Sequence, residues 1–138
     1  MAYFTRELAY YLLRYQFGEK NLKLKLFNAH TVDPSNVYNA TTQASFTELT
    51  TANGYTVGGK TLASGSTWTL TKESGTTKCN IKFNTEQVWQ ATNATFHCHG
   101  YFVVSTCDAA SVVLFWEEGS WTSTGIGDTY DVTPKVEL

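Results

Sequence analysis

Charge is scarce in this 138-residue chain. Only 16% of its residues are charged and the formal net charge is −2, against roughly a quarter charged in an ordinary domain. A basic stripe, the footprint of a nucleic-acid binder, is missing. Proline occurs twice and methionine once. No Pro/Gly-rich linker, internal repeat or charge block divides the sequence, so the expectation is one domain over 1–138. Long apolar runs are absent as well. The longest, Val112-Val-Leu-Phe-Trp116, falls far short of the ~20 residues of a membrane-spanning helix. Arg6 and Glu7 interrupt the N-terminal stretch before a signal-peptide core can form. A protein folded in a cytoplasm, with no membrane partner, is expected. The cysteines number three, Cys79, Cys98 and Cys107. An odd count is no disulfide framework, and they read as buried thiols.

What is present is apolar and hydroxyl-rich. The chain is 42% hydrophobic and 14% aromatic, and about one residue in six is threonine. Such a chain is not disordered and is long enough to bury a core. Thr, Val, Tyr, Phe and Trp suit a half-buried pleated surface, so the composition leans to β.

Residues 4–16 carry the single helical period. Phe4, Leu8, Tyr11, Leu12 and Tyr15 form one stripe of a 3.6-residue repeat and read as its core face. Tyr3, Tyr10 and Leu13 lie off the stripe and leave a second surface to cover. Thr5 is placed to cap the helix, Glu7 lies in its first turn, Arg14 in its last, and Gly18 can end it. The period then becomes two. Leu22, Leu24 and Leu26 alternate with Lys23 and Lys25. After a polar stretch, Asn28 to Thr42, that reads as a long loop, further alternating segments follow at 66–72, 78–83, 95–105 and 130–138. Phe96, Cys98, Phe102 and Val104 are expected on one face of the 95–105 strand, with His97, His99, Tyr101 and Val103 on the other. Residues 112–117 are apolar on both faces, which predicts a central strand. Pro134 implies an edge strand or bulge. Seven or eight strands with irregular loops predict an antiparallel β-sandwich, jelly-roll-like, with one short N-terminal helix within residues 1–18. The expected core includes Leu24, Leu26, Phe83, Phe102, Leu114 and Val132.

Sites of chemistry are sparse in the sequence. His97 and His99, two apart on a strand, share a face, but a metal takes three or four ligands and only His30, a distant cysteine or a carboxylate remain to supply them. Cys98 points the other way. No metal and no cofactor are expected. Glu117 and Glu118 are adjacent, so on a strand they face opposite sides and cannot serve one glycosidic bond as a pair. Gly125-Ile-Gly127 lacks the third glycine and the following helix of a dinucleotide site, and Asp128 after it reads as a turn residue. With no nucleophile–base pattern either, no enzyme is expected. Trp68, Trp89, Trp116 and Trp121 could form a sugar-stacking platform, although in a small sandwich tryptophan mostly fills the core or a subunit contact.

The order of motifs resembles a known group. Asn21-Leu-Lys-Leu-Lys-Leu-Phe-Asn28 follows the helix. Next come Phe46-Thr-Glu-Leu and Gly54-Tyr55, then Gly100-Tyr-Phe-Val-Val104 and Val113-Leu-Phe-Trp-Glu117. Last stands Gly127-Asp-Thr-Tyr-Asp-Val-Thr-Pro-Lys-Val-Glu-Leu138. Over nearly the whole chain this is similar to small virion proteins of tailed bacteriophages, among them the head-decoration or cement proteins. The resemblance rests on apolar and glycine positions, and the strand bearing Cys98 and the histidines departs from it. It implies a non-enzymatic protein on the outer surface of the capsid, assembled in the host bacterial cytoplasm. Its partners would be the major capsid protein and two further copies of itself. The alternatives are a neck, tail or baseplate component, or a host-surface carbohydrate-binding jelly-roll module. Tyr3, Tyr10, Val37 and Tyr38 are the expected contact anchors, since tyrosine offers large area with a polar tip.

Overall fold

The computed structural model describes residues 5–32, 42–105 and 112–138. In chain order these form helix α1 (Arg6–Gly18) and ten strands: β1 (Leu22–His30), β2 (Phe46–Glu48), β3 (Lys60–Leu62), β4 (Trp68–Lys72), β5 (Cys79–Phe83), β6 (Gln87–Gln90), β7 (His97–Ser105), β8 (Val113–Thr122), β9 (Thr129–Val132) and β10 (Lys135–Glu137). The protein is mainly β, and every strand pairing is antiparallel. The strands outside the expected alternating segments include β2 and β3, three residues each, and β6, four residues, too short to show a period, while the expected strand at 130–138 is divided at Pro134 into β9 and β10.

One sheet runs β2-β1-β7-β8, with β3 paired to β1 beside β2. A second runs β10-β5-β4, and β6 pairs β9. The inner face of the first sheet carries Leu22, Leu24, Leu26, Leu62, Tyr101 and Val103. It meets Trp68, Cys79, Ile81 and Phe83 of the second sheet, Trp89 and Val132 of the β6/β9 pair, and Ala9, Leu13 and Phe17 of α1 in one core. Leu22, Leu24 and Leu26 have no exposed surface, and each contributes about 1.5–3 kcal/mol by burial. The outer face holds a smaller aromatic cluster, Phe27, Phe46, Phe102, Val104 and Val113, in which Phe46 stacks on Phe102 at 4.6 Å.

Four expectations need correction. First, α1 turns the other way. Its cap is as expected, Thr5 Oγ1 accepting from the Leu8 N–H. Yet it buries Ala9, Leu13 and Phe17, while Leu8, Tyr11, Leu12 and Tyr15 are exposed. Phe17 decides the orientation, because its ring packs on Trp68 at 4.9 Å and Phe115 at 6.1 Å. Second, β7 changes face midway. Gly100 has φ +151° and the register against β8 shifts there, so Cys98 and Tyr101, three apart, face the same core while Phe102 and Val104 face outward. A Cβ at Gly100 would stand 2.1 Å from the Glu117 carbonyl oxygen, so only glycine fits this close approach. Third, β8 lies at the end of its sheet. Its Leu114 is half-buried against the core instead of within it. Fourth, β1 continues to His30, into the stretch expected to be loop. Pro134, as expected, breaks the chain before an edge strand, β10.

The motif residues at Phe46–Glu48 and Gly54–Tyr55 share one structural task. Strand β1 is paired at Leu22–Leu24 by β3 and from Phe27 onward by β2, leaving a gap between. Tyr55 fills it. Its hydroxyl accepts from the Leu26 N–H at 3.3 Å and donates to Glu48 Oε1 at 2.8 Å. Glu48 Oε1 also accepts from the Gly58 N–H at 2.6 Å, and Oε2 pairs with Lys25 at 3.1 Å. Burial, and then the hydrogen bond to Glu48, hold the Tyr55 phenol far above the usual tyrosine range.

Candidate interaction surface

Helix α1 offers two faces, and among the described residues the second is exposed and not part of the buried core. Leu8, Tyr11, Leu12 and Tyr15 recur at i, i+3, i+4 and i+7, the spacing of an amphipathic stripe. Their exposures are 47%, 60%, 52% and 56%. With an aromatic side chain worth about 150–250 Å², the four leave on the order of 400 Å² of apolar surface open, within the range of the largest patch on an ordinary monomer, which is often functional.

A groove of about 280 Å³ continues this stripe. Helix residues from Leu12 to Phe17, Leu12 and Tyr15 among them, line one side, and Leu114 and Phe115 of β8 with Val136 and Leu138 at the C-terminus line the other. Two sheet edges therefore meet at the groove, β8 of the first sheet and β10 of the second. Among the described residues, the far side of β8 gains only an isolated bridge between Thr42 and Val112, just before the strand begins. Open strand edges and an apolar helix face are the two features that let one folded chain pair with another.

The helix is fastened so that this face stays outward. Glu7 pairs with Lys72 of β4 at 2.6 Å, and the Lys72 ammonium sits 4.4 Å from the centre of the Tyr10 ring. Of the expected anchors, Tyr10 is thus half-buried under Lys72 on the sheet side of the helix. Tyr3, Val37 and Tyr38 lie outside the described residues. The helical period of the sequence marks Leu8, Tyr11, Leu12 and Tyr15 as one stripe, but as a core face, whereas in the fold they are exposed.

On the outer face of the first sheet, β1, β7 and β8 border a cleft of about 480 Å³ lined by Phe27, His30, His99, Glu118 and Ser120, among others. His30 is bonded to Glu118, whereas the adjacent Glu117 accepts from the inner-face Tyr101 hydroxyl at 2.7 Å. The two carboxylates do face opposite sides. Burial, followed by the bond to Glu117, raises the Tyr101 phenol above its usual range. Cys98 is fully buried, and burial pushes its thiol up to about 11, which keeps it protonated and unreactive. Asp128 closes the Gly125–Gly127 turn by accepting from the Thr124 N–H and hydroxyl at 2.6 and 2.7 Å; these bonds hold its carboxyl below the usual range. Trp68 and Trp89 are buried, and Trp116 and Trp121 are half-buried against the two clusters. No tryptophan stands open as a sugar platform.

No protein-family model matches the chain, and no curated protein and no solved structure is significantly similar to it.

Proposed function

We propose that this chain is a capsid-decoration protein of a tailed bacteriophage, acting by association and not by catalysis, and that its helix face is the contact between copies in a homotrimer. The observation that carries the reading is the exposed Leu8–Tyr11–Leu12–Tyr15 stripe continuous with the apolar groove. The motif order over nearly the whole chain supports the viral assignment. The stripe alone supplies about half of the ~800 Å² per partner of a standard interface, and the groove and the open strand edges add to it. Self-association then places three identical sheets around one axis, a form suited to clamping the major capsid protein at three-fold positions of the shell. Work is done by mass action: a protein that binds the assembled shell and not loose subunits shifts the equilibrium toward the shell. The tryptophans, committed to packing, favour this over the carbohydrate-binding alternative.

The test uses shells prepared with and without the purified chain, and with a Leu12→Glu/Tyr15→Glu variant. The native chain should sediment as a trimer, bind in many copies per shell and raise the temperature and osmotic stress the shell withstands. The variant, altered only at exposed positions, should keep its circular dichroism, sediment as a monomer and protect less. Unchanged shell stability, or a few copies at one vertex, would reject the reading in favour of a neck or tail component.

A further inference from the structure

Independently of the capsid reading, we propose that His97 and His99 form an open two-histidine site for a borderline transition-metal ion such as Zn²⁺. Both are exposed on β7 and separated by the fully buried Cys98, which anchors the strand between them. Their Nε2 atoms stand 3.2 Å apart, and the rings are nearly perpendicular, at 88°. Two nitrogens of a tetrahedral zinc, each about 2.0–2.1 Å from the metal, stand about 3.3–3.4 Å apart. The pair is therefore already close to ligating separation, and one ion placed between them would need little movement of either ring.

The other nitrogens are held from the neighbouring strand. His97 Nδ1 is 2.6 Å from Thr122 Oγ1, and His99 Nδ1 is 3.0 Å from Ser120 Oγ, both on β8. Metal-bound histidines characteristically donate their second N–H in this way, which fixes the tautomer and aims the free lone pair. With each Nδ1–H donating to its hydroxyl, both Nε2 atoms carry lone pairs only 3.2 Å apart, and a cation bound between them relieves their repulsion. Without an ion, one ring must change tautomer so that one Nε2–H donates to the other. Among the described residues no third His, Cys, Asp or Glu completes the set, so two tetrahedral positions are left to water or to a donor atom of a bound ligand. His99 also lines the 480 Å³ cleft, which gives such a ligand room. Imidazole ligands suit Zn²⁺, Ni²⁺ or Cu²⁺, not Mg²⁺ or Ca²⁺.

Titration calorimetry of the full chain with ZnCl₂, and with MgCl₂ as the control, tests this. One Zn²⁺ per chain should bind and Mg²⁺ should not. Binding should weaken at least tenfold in His97→Ala and in His99→Ala. Ser120→Ala and Thr122→Val, which touch only the supporting hydroxyls, should weaken it by about 10–100-fold at most. The imidazole ¹⁵N resonances of the native protein give a readout that needs no variant: both Nε2 signals should shift on adding zinc. Absence of saturable binding, zinc binding that survives the double His97→Ala/His99→Ala change, or unmoved Nε2 signals at saturation would each overturn the proposal.

Discussion

Removing one oxygen atom, in Tyr55→Phe, should cost the fold more than most substitutions of a surface residue. The ring is 2% exposed and keeps its packing in phenylalanine, so the change isolates the hydroxyl. That hydroxyl donates to the Glu48 carboxylate and accepts from the Leu26 N–H. A hydrogen bond to a charged group contributes about 1.5–3 kcal/mol, and an orphaned buried N–H costs about 1–3 kcal/mol. The two overlap, because partial relaxation lets Leu26 find another partner, and the expected loss is about 2–4 kcal/mol. For a domain stable by about 5–15 kcal/mol that is a large fraction. Glu48→Ala should cost about 3–5 kcal/mol, since it strips the mostly buried Lys25 of its carboxylate; Lys25 keeps its 3.0 Å bond to Gln43, which places the loss toward the lower end. Combining the two changes should cost less than their sum by about 1–3 kcal/mol, the coupling expected of residues in one network. Urea unfolding followed by tryptophan fluorescence measures all three, read as a shifted midpoint at constant slope. A Tyr55→Phe loss under about 0.5 kcal/mol, or strict additivity, would refute the view that this node closes the gap in the β1 edge.

Gly100→Ala should be among the most damaging single changes, costing at least about 3 kcal/mol by thermal melting, because its Cβ meets the Glu117 carbonyl. Gly75→Ala, also at positive φ but with open space around it, should cost only about 1–2 kcal/mol. Stability should fall at alkaline pH. The Cys98 thiol is raised from 9.0 to about 11, so the folded state binds the proton more tightly; its contribution is complete below pH 9 and is lost as pH rises toward 11. In Cys98→Ala the decline in unfolding midpoint should begin near pH 10, where Tyr55, Tyr101 and Tyr130, all raised chiefly by burial, take over.

Much of the scaffold was legible because period-two segments speak for themselves. Leu22, Leu24 and Leu26, and likewise Cys79, Ile81 and Phe83, are buried as their alternation requires, and Thr5 caps α1. The helix face was not legible. Leu8, Tyr11, Leu12 and Tyr15 hold more apolar mass than Ala9, Leu13 and Phe17, and periodicity cannot distinguish a stripe that meets the chain's own core from one that meets another surface. The same ambiguity made β8, apolar on both faces at an edge, look central. In β7 the reversal at Gly100 depends on a close approach to the β8 backbone, which no local pattern encodes. The shared face of His97 and His99 follows from their spacing, while the convergence of their Nε2 atoms depends on hydroxyls of β8 more than twenty residues away.

Cryo-electron microscopy of phage particles carrying the chain decides whether it decorates a capsid. Many copies are expected on the outside of the shell, grouped in threes, with Leu8, Tyr11, Leu12 and Tyr15 buried between neighbouring copies. A chain confined to the neck or tail, or a decorating chain whose helix stripe faces solvent, would contradict the proposal.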